Sequence, residues 1–119
     1  MSLNKLADEL HGSAMAKGWY DNPGDENAFV ERMCNNLHDE ISELHEAWRN
    51  GNLRGPCDKV DKMFAHSLPI LSCLEEELAD IIIRTLDNAA QLGVDMDKAV
   101  RVKDAYNHHR EYRHGGKKS

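Results

Sequence analysis

Two short acidic motifs are the residues of this chain best suited to chemistry. Glu40-Ile41-Ser42-Glu43 and Glu77-Leu78-Ala79-Asp80 each hold two carboxylates three residues apart, which is one side of a helix. With a helix turning about 100° per residue, Glu40 falls between Leu37 and Leu44, inside an apolar stripe, and Glu43 sits on its shoulder. A carboxylate on a buried face is costly unless it is paired or bound to a metal ion. Four residues after Glu40, Glu43 and Glu46 come Leu44, Ala47 and Asn50, so no cation on the same helix compensates them. If the two motifs pack together, four anions converge and repel one another unless a counter-ion enters. Oxygen ligands without His or Cys favour Mg2+, with Mn2+ as an alternative, over zinc or copper. Magnesium keeps waters and is completed by substrate phosphates, so the implied substrate is a phosphate compound.

Plainer readings stand beside this one. Glu75, Glu76 and Glu77 suit the start of any helix, where acids favour the dipole, and Asp80 has Arg84 four residues on as an ion-pair partner. Di-iron bundles use Glu-x-x-His, but Asn35 and Ser42 stand three residues before His38 and His45. His38-Asp39 is only a dipeptide of the metal-dependent phosphohydrolase kind, and His45-Glu46 lacks the second histidine of a zinc protease. The seven histidines are expected at surfaces or interfaces.

The elements that must position these acids are helices. Between glycines and prolines the spacing predicts a first helix over 3–17 and a loop over 18–25 holding Trp19 and Tyr20. A second helix is expected over 26–50, with Phe29, Met33, Leu37, Ile41, Leu44 and Trp48 on its apolar face and a left-handed stop at Gly51. The region 51–68 is hard to read beyond a short helix over 59–65. A long helix follows Pro69 and runs to Leu92, with Ile70, Leu74, Leu78, Ile81, Thr85, Ala89 and Leu92 on one face and Gly93 ending it. Asp95 is a cap for a last helix over 96–109. The chain therefore reads as all-α, a bundle of four main helices over 1–109 with a basic, flexible tail over 110–119.

Composition narrows the function classes. Apolar residues make up 40% of the 119 and aromatics only 6%, a thin core that a small domain completes by self-association. The net charge of −6 argues against a nucleic-acid binder. Three widely spaced cysteines, Cys34, Cys57 and Cys73, form no C-x-x-C pair and fit reduced thiols in the cytoplasm. Neither a membrane-spanning run nor a signal-peptide pattern is present, so the expectation is a cytoplasmic protein without membrane partners.

The two motifs and their surroundings resemble the MazG-like family of all-α nucleoside triphosphate pyrophosphohydrolases, whose signature is E-x-x-E on one helix and E-x-x-D on a later one. EISELHEAWRNG from Glu40 is similar to the family's first metal helix and its exit, and EELADIIIRTLDNAAQLGVDMDKAV from Glu76 to its second, with the turn and helix that follow. KDAYNHHREYRHGGKK from Lys103 resembles the Lys-x-x-Tyr-Asn element and basic tail of compact phage and bacterial members, and KGWYDNP their Gly-aromatic-aromatic loop. The segment 44–76 is longer than the family pattern. The resemblance implies that Glu40, Glu43, Glu77 and Asp80 hold Mg2+ and carry catalysis. It implies cleavage of a (d)NTP to (d)NMP and pyrophosphate, a house-cleaning hydrolase active as a homodimer or homotetramer. Lys103 and Asn107 would contact the phosphates, Tyr106 would shape that region, Arg113 would fold over the substrate, and Trp19 or Tyr20 would stack on the base or serve as a packing anchor. A relative specialised for phosphoribosyl-ATP or dUTP, or a non-catalytic helical module binding a nucleotide or protein partner, are the alternatives.

Overall fold

The computed structural model describes residues 2–110, which form five helices: α1 Leu3–Ala16, α2 Glu26–Arg49, α3 Val60–Ala65, α4 Cys73–Gln91 and α5 Met96–His108. The four long ones all begin on an oxygen-bearing side chain. Ser2, Asp25, Ser72 and Asp95 each accept a hydrogen bond from the backbone N–H three residues on, which satisfies a donor the helix cannot pair internally. Gly51 and Gly93, both at φ +68°, follow the ends of α2 and α4 in the left-handed region that a side chain resists.

Helix α4 is the hub, packed on α1 and on α2. Ala7 and Ala14 of α1 and Leu86 and Ala89 of α4 are buried, with Phe29 of α2. Four consecutive residues, Leu86, Asp87, Asn88 and Ala89, are buried, so this stretch of α4 is enclosed on all sides. The expected apolar face of α4 included Ala89 but not Leu86, because a helix covered all round has no period to read. The same helix starts three residues later than Pro69 implied. Ser72 forms a full capping box with Glu75, and Ile70 lies outside the helix, exposed. On α2 the predicted stripe is only half used: Phe29 is buried, whereas Ile41 is 54% and Trp48 61% exposed.

Helix α5 and the start of α1 cap each other. The Asp97 carboxylate accepts from the backbone N–H of Leu3 at 2.7 Å and of Asn4 at 3.3 Å. In return the Asn4 side-chain oxygen accepts from the N–H of Met96 at 2.8 Å and of Asp97 at 3.3 Å. Beyond this junction α5 has no buried residue. The radius of gyration is 17.1 Å, against about 13 Å for a compact domain of this length. No described helix is long and apolar enough to cross a membrane. The tail expected over 110–119 lies, apart from Arg110, outside the described residues, and Arg113 with it.

The capping box places Glu76 and Glu77 in the first turns of α4, so it bears on the site as well as on stability. Ser72→Ala should lower stability by about 1 kcal/mol, seen as a fall of a few degrees in the circular dichroism melt. A variant that melts with the wild type would show that packing alone fixes the start of α4.

Candidate metal centre

The acids meet because α2 and α4 run antiparallel. Glu40 contacts Arg84, while Glu43, further along α2, meets Glu77, earlier on α4. Carboxylate oxygens of Glu40, Glu43 and Glu77 lie within 4.8 Å of one another, and so do those of Glu76, Glu77 and Asp80. Glu77 belongs to both triads and joins them into one cluster.

Burial makes this arrangement costly. Glu40 is 6%, Glu76 5% and Glu77 9% exposed, whereas Glu43 is at the solvent rim and Asp80 is half-buried. At 4.8 Å two ionised carboxylates repel by roughly 3–4 kcal/mol at an effective dielectric of about 20. Burial, then the charges of Glu43, Glu76 and Asp80, push the Glu77 carboxyl up to about 7. Burial and the neighbouring Glu40 also raise Glu43 and Asp80.

Two cations answer the acids. Arg84 donates from Nε to Glu40 Oε1 at 2.7 Å, and Lys59 pairs with Glu76 Oε1. The local pair of Asp80 with Arg84 is therefore replaced by one across the helices, where Arg84 serves the more deeply buried acid. Even so, Glu40 Oε2 and Glu77 Oε2 are buried with no hydrogen-bond partner among the described residues. Unsatisfied carboxylate oxygens in a buried, all-oxygen donor set fit a hard divalent cation such as Mg2+ or Mn2+.

Beside Arg84 opens a cleft of about 330 Å3 lined by Trp19, Tyr20, Asn36, Arg84, Asp87 and Asn88, among others. Tyr20 is its structural aromatic. Its hydroxyl donates to Asn88 Oδ1 at 3.0 Å, and its ring meets that of His11 edge-on at 4.5 Å. His11 Nδ1 lies 2.9 Å from Asp87 Oδ1. Burial and the adjoining Asp87 raise the Tyr20 phenol well above its ordinary value. Trp19 is 70% exposed at the cleft, free to stack on an incoming ring.

The α5 residues stand elsewhere. Lys103 Nζ lies 4.7 Å from the centre of the Tyr106 ring, and both line an apolar hollow with Lys98, Ala99 and Val102. Asn107 is exposed on the same helix. No hydrogen bond or ion pair among the described residues joins Lys103, Tyr106 or Asn107 to the carboxylates. Sequence reasoning missed Glu76 and Lys59. Glu76 carried a signal, since it precedes Asp80 by four residues and shares its face; Lys59, the residue just before α3, carried none.

An all-helical protein with a buried cluster of carboxylates between two helices is the class defined by fold and site. No protein-family model matches the chain, and no match was found among curated proteins or solved structures.

The raised carboxyls fix the sign of the pH response in the presence of chelator. Glu77 holds its proton up to about 7 when folded but only to 4.5 when unfolded, so the folded state binds more protons between these values and stability falls as pH rises through them. The depressed Asp95 and Asp97 carboxyls act below pH 3.8 and do not disturb this window. The melting temperature in chelator should therefore drop from pH 5 to pH 8, and Glu77→Gln should flatten that drop. A wild-type melt that rises over this range would contradict the clustering.

Proposed function

We propose that this chain is a Mg2+-dependent nucleotide pyrophosphohydrolase of the MazG-like kind, converting a (d)NTP to (d)NMP and pyrophosphate. The observation that carries the reading is the pair of overlapping triads sharing Glu77, with two buried oxygens left unpartnered among the described residues. Apart from Glu76, the members of these triads belong to the same E-x-x-E and E-x-x-D motifs that resemble the family.

Glu40, Glu43, Glu77 and Asp80, joined by Glu76, would hold the metal. When bound, Mg2+ supplies neutralisation of polyphosphate charge and acidification of water. Arg84 fixes Glu40 through its Nε and keeps that carboxylate oriented while substrate binds. Glu43, at the solvent rim, would take a proton from an attacking water. The nucleoside would lie in the adjoining cleft, with Trp19 stacking on the base and Asp87 and Asn88 offering polar groups to its edge. The test is incubation with a panel of (d)NTPs and Mg2+, reading products by anion exchange. Monophosphate and pyrophosphate should form, vanish with chelator, and fall by about a hundredfold or more in Glu43→Gln. Diphosphate with inorganic phosphate would point to another reaction.

The active unit in this reading is a homodimer or homotetramer that completes the helical bundle. Ile41, Leu44, Trp48 and Leu74 line an open apolar hollow across α2 and α4, and Leu78 and Ile82 continue the exposed apolar surface of α4. A second copy covering these faces would bury what one chain leaves in water. Light scattering at micromolar concentration should give at least twice the chain mass, and Trp48→Glu should reduce it; an active monomer would refute this assembly.

A further inference from the structure

The cation on Glu76 comes from the connection between α2 and α4, a segment with no apparent part in holding the carboxylates. That connection is pinned to the start of α4. The N–H of Cys57 donates to Leu71 O, that of Cys73 to Gly55 O and that of Leu74 to Leu53 O, each at 2.9 Å. Cys57 is buried beneath these bonds at 2% exposure. Two residues on, Lys59 has a fixed root and a long, flexible stem, with its side chain half exposed. Its ammonium pairs with Glu76 Oε1 and lies 3.4 Å from Asp58 Oδ1.

The depression into which it reaches has a volume of about 460 Å3 and is lined by Glu43, Glu46, Asp58, Glu76 and Glu77, with Lys59 the one cation among its described lining residues. Glu76 is also a member of the second triad. An ammonium on Glu76 and a divalent cation on the same triad repel each other. Of the charged described residues that a polyphosphate meets at this rim, Lys59 alone attracts it.

We propose that Lys59 is a tethered cation of the centre, which holds Glu76 until a divalent ion enters and then transfers to the phosphate oxygens of the substrate. The assignment rests on the metal-centre reading above and goes beyond it, because it places phosphate recognition on the α2–α4 connection. Lysine suits the role: its ammonium is a compact point charge that can exchange one anionic partner for another without the fixed geometry of a guanidinium. Half-exposure leaves it free to move, while the backbone bonds around Cys57 keep its root beside the cluster.

Two binding measurements test this, with circular dichroism to verify helicity. Mn2+ binding is read by electron paramagnetic resonance, and binding of inorganic triphosphate at saturating Mn2+ by calorimetry. Lys59→Met removes the charge and keeps much of the stem. It should bind Mn2+ alone about threefold to tenfold more tightly, since a competing cation is gone. It should bind triphosphate about tenfold more weakly. Lys59→Arg, which keeps the charge, should recover most of the triphosphate affinity. Mn2+ binding unchanged by Lys59→Met overturns the assignment while leaving the metal centre standing. Tighter Mn2+ with unaltered triphosphate affinity overturns it too, since Lys59 is then only an ion-pair partner. An arginine variant that behaves like the methionine one overturns the role of charge. Absence of Mn2+ binding in both wild type and Lys59→Met overturns the metal centre and this assignment together.

Discussion

Like charges held between two helices are the constraint on which the rest of this structure depends. Glu40 on α2 and Glu76 and Glu77 on α4 are all buried, and a buried carboxylate without a partner is among the most costly groups a fold can carry. The surrounding features read as answers to that cost. Arg84 abandons its neighbour on α4 to reach Glu40 across the helix pair. The α2–α4 connection is fastened to α4 by backbone bonds so that Lys59 arrives at Glu76. The compensation stops short, leaving two oxygens without partners among the described residues.

The interior is correspondingly short of hydrocarbon. The buried apolar residues are mostly small, and Phe29 and Leu86 are the only large ones among the described residues, while several of the largest apolar side chains stay on the surface. Such a chain gains less from apolar burial than its composition allows, so its stability leans on caps and ion pairs. That helps explain why the starts of the four long helices are all capped: where core packing is weak, a contribution of about 1 kcal/mol per cap is a large fraction of the whole.

The all-helical architecture was legible in the sequence because glycine positions and three-to-four spacing are local signals. Gly51 and Gly93 follow helices where expected, and Asp95 caps α5 as read. Glu40 was legible for the same reason, since an acid inside an apolar stripe contradicts its surroundings, whereas Glu77 was legible only through its pairing with Asp80 three residues on. What escaped was set by distant parts of the chain. Arg84 offered a local partner in Asp80, and only the register of α2 against α4 redirects it to Glu40. Glu76 looked like an ordinary helix-start acid until the packed α2 and the returning loop enclosed it. Ile41 and Trp48 were assigned inward from a stripe that is real, yet the stripe is wider than the one neighbour available in a single chain. The α5 residues show the same limit, because a face can be read from spacing while the surface it meets cannot.

The reciprocal capping between α1 and α5 has a consequence for how the chain opens. Asp97 supplies acceptors to Leu3 and Asn4, and Asn4 supplies one to Met96 and Asp97, so neither helix start can fray without exposing the other's amides. Helix ends ordinarily open independently and at little cost. Here residues more than ninety positions apart form one unit of local unfolding, and the amides of Leu3, Asn4, Met96 and Asp97 share a common opening event. The beginning of α1 and the root of α5 should thus be protected and exposed together in hydrogen exchange, a mechanical clasp joining the two helix starts.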